Sequence, residues 1–115
     1  MAVTFGWLNT TILLTDSAAT IYANPASTTT FITSITLHNT HSSAITVNLY
    51  RVPDNAAAVG TAADGNQFLE YSLAANETLV LNDNTIILGD TNDTIQGVAG
   101  TTSKVTIFID GVKKT

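Results

Sequence analysis

The chain contains no cysteine, which excludes disulfides and thiolate metal sites and leaves packing and hydrogen bonds to hold the fold. Charge is scarce as well: Asp, Glu, Lys and Arg together make up 11%, less than half the usual share of about 25%. Four residues are basic against nine acidic, for a formal charge of −5. Two of the four are the adjacent Lys113 and Lys114. No basic patch can therefore neutralise a run of phosphates, and nucleic acid is not an expected partner. No apolar run approaches the ~20 residues that cross a bilayer, so a membrane is not expected either. The first seven residues, Met1 to Trp7, lack the basic and apolar regions of a secretory leader. The expectation is synthesis in a cytosol, with any exit inside a particle. Proline is rare too: Pro25 and Pro53 are the two. Neither can donate to a ladder, so each marks a strand end or an edge.

What the chain does have is alternation. Thr33-Ser34-Ile35-Thr36-Leu37, Ala44-Ile45-Thr46-Val47-Asn48-Leu49 and Val105-Thr106-Ile107-Phe108-Ile109 read apolar, polar, apolar. A period of two places one set of side chains on each face of a pleated sheet. The chain holds 21 Thr, and β-branched residues favour that half-buried surface. The pattern predicts strands over Thr11–Thr15, Ala19–Ala23, Thr30–Asn39, Ala44–Val52, Gln67–Leu73, Glu77–Leu81, Ile86–Leu88, Thr94–Ala99 and Lys104–Asp110. Phe31, Ile35 and Leu37 are expected on one face of the third, and Ile45, Val47 and Leu49 on the inner face of the fourth, with Tyr50 opposite. Gly97 marks a bulge or a close backbone approach. Asp54–Asn66 is the longest segment without a strand pattern, with at most one helical turn at Ala56-Ala57-Ala58. Short strands with turn signals every 8–12 residues, and no helical period between them, predict an all-β fold. It is an antiparallel β-sandwich of about eight strands, jelly-roll or immunoglobulin-like, in one domain spanning 1–115.

The residues that carry chemistry elsewhere form no known catalytic pattern here. His38 and His41 lie where a strand runs into a loop, without a nearby acid to position either for proton transfer. Asp90-Thr91-Asn92-Asp93, with Asp83 and Asn84 as neighbours, is rich in oxygen but lacks the spacing of a calcium loop. It reads as a turn. Asp64-Gly65-Asn66 is a turn signal without the Lys of a phosphate loop. No Gly-x-Ser-x-Gly elbow is present. The sequons at Asn9, Asn76 and Asn92 carry no weight without a leader. No catalytic, cofactor-binding or metal-ligating residue is assigned, and no enzyme activity is expected. The aromatics are the remaining signal. Phe5 and Trp7 lie in residues 1–10, read as an N-terminal arm that either caps the domain's own core or packs on a neighbouring subunit. Tyr22 and Tyr50 join them as candidate interface residues, because amphipathic aromatics serve as anchors. Tyr50, Tyr71 or Trp7, exposed beside Asn and Asp side chains in a groove, would instead serve a sugar- or receptor-binding module.

From residue 11 onward the order of features resembles a known group. The segments are Thr11-Ile12-Leu13-Leu14-Thr15, Thr20-Ile21-Tyr22-Ala23-Asn24-Pro25-Ala26, Ser34-Ile35-Thr36-Leu37-His38-Asn39-Thr40, Val47-Asn48-Leu49-Tyr50-Arg51-Val52-Pro53 and Val105-Thr106-Ile107-Phe108-Ile109-Asp110-Gly111. This is similar to small β-sandwich virion proteins of tailed bacteriophages. The resemblance implies a non-enzymatic structural protein located in the virion, most readily a capsid decoration or cement protein. Its partners would be copies of itself, as a homo-oligomer such as a trimer, and the phage capsid or other virion proteins. A tail, collar or fibre-base component is the close variant. No residue role is carried over, because the group has no shared active site.

Overall fold

The computed structural model describes residues 2–9, 13–82 and 86–115. Nine strands form two antiparallel sheets among them: β1 (Val3–Trp7), β2 (Ala19–Ala23), β3 (Thr29–Asn39), β4 (Ile45–Val52), β5 (Gln67–Leu73), β6 (Thr78–Leu81), β7 (Ile86–Leu88), β8 (Thr94–Ala99) and β9 (Val105–Lys114). The first sheet runs β1-β9-β3-β6, with β7 pairing the other half of β3, and the second runs β2-β8-β4-β5. Paired strands thus nest in sequence: β1 with β9, β2 with β8, β3 with β6 and β7, β4 with β5. That nesting is a long hairpin ribbon wrapped on itself, which is the jelly roll. It resolves the choice between the two sandwich topologies.

The alternation fills the space between the sheets. Ile35, Leu37, Val47, Leu49, Ile95, Ile107 and Ile109 point inward and are buried. The core is Leu, Ile, Val, Ala and one tyrosine; it contains neither Phe nor Trp. Five buried hydrogen-bonding side chains finish the ends of strands. Asn39 donates from Nδ2 to the carbonyls of Ser43, Leu73 and Ala74, and its Oδ1 accepts the His41 amide. Asn24 binds the Thr28 and Asp90 carbonyls and accepts the Thr30 hydroxyl at 2.6 Å. Since Thr30 spends its proton on Asn24, the Tyr22 hydroxyl donates to Thr30 at 2.8 Å. Asn9 extends the β1 edge, its amide group bonding the Ile107 carbonyl and the Ile109 amide.

Within the segment 1–10 read as an arm, Val3–Trp7 pairs inside the domain instead. Val3–Trp7 is an edge strand in full register with β9, from Val3 opposite Lys114 to Trp7 opposite Asp110. β9 is correspondingly longer than expected, reaching Lys114. Of the strand expected over Thr11–Thr15, residues 11 and 12 lie outside the described residues, and Leu13 makes only a lone bridge to Thr106. A bulge between Ile32 and Ser34 changes the phase of β3. Phe31 therefore faces out, while Ile32, Ile35 and Leu37 face in. Gly111 stands beside the bulge, where a Cβ would collide with the Phe31 carbonyl oxygen. Gly97 marks a close approach, since a Cβ there would lie 3.0 Å from Leu49. The bulge near it falls on β2, between Thr20 and Tyr22. Ala56-Ala57 is not helical: both have positive φ, and Asn55 and Ala58 exchange backbone hydrogen bonds across them. The pair is the turn of a two-residue hairpin.

Candidate docking face

The outer face of the first sheet carries four of the chain's eight aromatic residues, Phe5, Trp7, Phe31 and Phe108. The register builds it in rows. Phe5 lies opposite Val112, Val112 opposite Phe31, and Phe31 opposite Ile87. One apolar row therefore crosses β1, β9, β3 and β7. On one side of it lies the row of Trp7, Asp110 and Ser34. Beyond that are Phe108, Thr36 and Val80. On the other side lie Val3, Lys114 and Thr29. Phe5 is 76% exposed and Trp7 71%. Val3, Val80 and Ile87 are also exposed, and Phe31, Phe108 and Val112 are half-buried. The Trp7 and Phe108 rings are tilted against each other with centroids 5.4 Å apart. The Lys114 ammonium sits 5.9 Å from the Phe31 ring centroid, within cation–π range. Three of the four Phe and the single Trp thus lie on one face, and the fourth, Phe68, is also outside the core.

That distribution inverts the usual one. Aromatic side chains are the largest carriers of buried area, yet this fold leaves every Phe and the Trp outside its core, where Phe5 and Trp7 contribute little burial to the monomer. A contiguous exposed apolar patch of several hundred Å² marks an interaction site in a soluble protein.

Of the residues singled out in the sequence, Phe5 and Trp7 fall on this face. Tyr22 does not: it is buried, with its hydroxyl bound to Thr30, and it drops out of the candidate interface. Burial raises its pKa above 10.0. Tyr50 pairs with Gln96 on the outer side of the second sheet. Tyr71 pairs with Val47 on the inner side of β5, and its hydroxyl reaches Glu77 at 2.8 Å. Trp7 and Tyr50 therefore lie on the outer sides of different sheets, and Tyr71 packs against the core. Phe31, Phe108, Val112 and Ile87 were not singled out in the sequence. Phe108 was visible as an aromatic in a slot that Thr fills elsewhere; Phe31 was hidden by the bulge.

A cleft of about 380 Å³ opens between the sheets where the β5 and β6–β7 edges face each other. Ile32, Ile35, Arg51, Phe68 and Leu69 line it. It exists because β5 bulges opposite Leu49/Tyr50 and because β6 and β7 cover separate halves of β3. Arg51 spans the opening, donating from Nη2 to the Ile87 carbonyl at 2.7 Å.

The polar clusters serve the fold. The Asp93 carboxylate accepts the Asp54 and Asp90 amides at 2.8 and 3.0 Å, which is a turn-holding role. Asp83 and Asn84 lie outside the described residues. His38 bonds Thr78 Oγ1 at 2.7 Å on the outer face, while the His41 amide closes the β3–β4 loop. Among the described residues no group of three or more His, Asp or Glu side chains is placed to hold a metal ion. Glu77 accepts the Ala74 amide and the Tyr71 hydroxyl, and these hold its carboxyl below the usual 4.5. The same contact and the charge of Glu77 push Tyr71 above 10.0.

Compared with known proteins, the chain matches no family model, and no curated protein matches it in sequence. The architecture and the face define it as a jelly-roll sandwich with one apolar outer sheet.

Proposed function

We propose that this chain is a non-enzymatic structural module that works by docking. Its setting is the virion of a tailed phage, where it decorates and stabilises the head lattice as an oligomer. The supporting observation is the row of Phe5, Val112, Phe31 and Ile87 across the sheet, with Trp7 and Phe108 beside it. A side chain exposed in the monomer acquires its hydrophobic stabilisation only when a neighbour covers it. The low charge and Thr-rich surface suit a repeated coat, in which many small contacts sum to a stable shell. A tail, collar or fibre-base position uses the same face in the same way.

The test is particle association. Cells carrying the coding sequence are induced or infected, and particles are banded on a density gradient. The protein is expected to comigrate with intact heads at near-stoichiometric copy number. Particles that lack it contradict the reading.

A further inference from the structure

The outer face of the first sheet carries a charge pattern as well as an apolar row. Asp110 and Lys114 both project from β9 onto this face, two residues to either side of Val112. They are separated along the strand by about 14 Å, four residues at ~3.4 Å each. The apolar row runs between them, through Val112. Around Asp110 are Trp7 and Ser34, and around Lys114 are Val3 and Thr29. The two flanks thus carry opposite charge, and both border a central strip without any.

We infer that the occupant of this face is a second copy of the chain, packed face to face about a two-fold axis that runs along the Phe5–Val112–Phe31–Ile87 row. Self-association by one patch requires that patch to be complementary to itself, residue i meeting j while j meets i. Rotation about the row lays the strip on itself. It brings Asp110 onto the partner's Lys114, and Lys114 onto the partner's Asp110. Trp7 then faces the partner's Val3 and Lys114, a hydrophobic and a cation–π contact. The other in-plane axis, along the strands, sets Asp110 against Asp110 of the partner subunit and Lys114 against the partner's Lys114. Like charges in apposition cost affinity, so the pattern selects the first axis.

The interface is small. Rotation about the row through Val112 overlays residues 110–114 of β9; five residues at ~3.4 Å across four strand positions at ~4.8 Å give about 330 Å² per copy. Two copies bury roughly 650 Å², below the ~1,000 Å² that a specific interface ordinarily clears. The dimer is accordingly expected to be weak, forming in the upper micromolar range. This inference rests on the reading of the face as a docking surface, and the experiment separates the two.

The full-length protein is examined by sedimentation velocity from about 5 to 500 µM, a range that brackets micromolar association. The wild type is expected to pass from monomer to dimer. Asp110→Lys and Lys114→Asp each oppose like charges at both ends of the interface and weaken the dimer by about tenfold. The double variant D110K/K114D exchanges the pair and restores association. Both side chains lie on the exterior, and circular dichroism melts confirm that each variant is folded. A monomer throughout, a trimer, single reversals without effect, or a double variant no better than the singles would each overturn the inference. A monomer that still comigrates with particles leaves the docking reading standing. A two-fold dimer absent from particles leaves the self-pairing standing and removes the virion setting.

Discussion

Gly111 shows how one atom decides a sheet. β3 and β9 share the longest pairing in the molecule, and their register breaks between Ile32 and Ser34. At that break Gly111 lies so close to β3 that a Cβ would enter the Phe31 carbonyl oxygen. The obstacle is backbone and cannot rotate away. Gly111→Ala is expected to destabilise the fold by about 2–4 kcal/mol, the range of severe overpacking, read as a lower urea midpoint with an unchanged m-value. Glu77 acts at the same scale through its proton. Its folded carboxyl is held below 4.5 by the Ala74 amide first and the Tyr71 hydroxyl second. Depression means that the folded state favours the charged form. The stabilisation is present above pH 4.5 and disappears as pH falls through the lower folded value. The difference in melting temperature between wild type and Glu77→Gln is therefore expected to be larger at pH 7 than at pH 3, by calorimetry. An equal difference at both pH values would contradict the assignment.

The elements divide into those written by a period of two and those written by geometry the period does not carry. Ala19–Ala23, Gln67–Leu73, Ile86–Leu88 and Thr94–Ala99 are strands as their pattern predicts, because alternation with β-branched residues specifies a half-buried surface. β1 was not legible as a strand. Val3, Phe5 and Trp7 alternate with Thr4 and Gly6, but both faces of this strand are exposed, so burial imposed no recognisable contrast. Its pairing depends on β9, about a hundred residues away in sequence. The orientation of Phe31 was likewise hidden, since one bulged residue exchanges the two faces of a strand. The docking face was therefore half visible: Phe5 and Trp7 stood out as aromatics, while their neighbours depended on register. Phe5→Ser combined with Trp7→Ser tests the element directly. Both side chains are more than 70% exposed, so the monomer's unfolding free energy is expected to change by less than about 1 kcal/mol. Association through the face is expected to be lost at every concentration tested. A large loss of monomer stability would mean that β1 serves the domain's own core.

The whole molecule combines a core of aliphatic side chains with aromatics placed outside it. Nested antiparallel pairing gives the jelly roll without any disulfide, and buried amides at Asn9, Asn24 and Asn39 close the strand ends. The sandwich class was legible from strand length and spacing. The jelly-roll topology was not, because strands of similar pattern exchange places without changing local sequence. The exterior then distinguishes the two sheets: the first is apolar and aromatic, while the second bears Asn48, Glu70 and Gln67 in mutual hydrogen bonds on its surface. A single tryptophan on the apolar sheet makes the central claim directly measurable. Trp7 emission and its quenching by acrylamide are followed from dilute protein, through rising concentration, to assembled material. Emission is expected to be red-shifted and readily quenched in the dilute monomer, then to shift blue and become protected as the face is covered. Emission that stays red-shifted and fully quenchable in every state would contradict it.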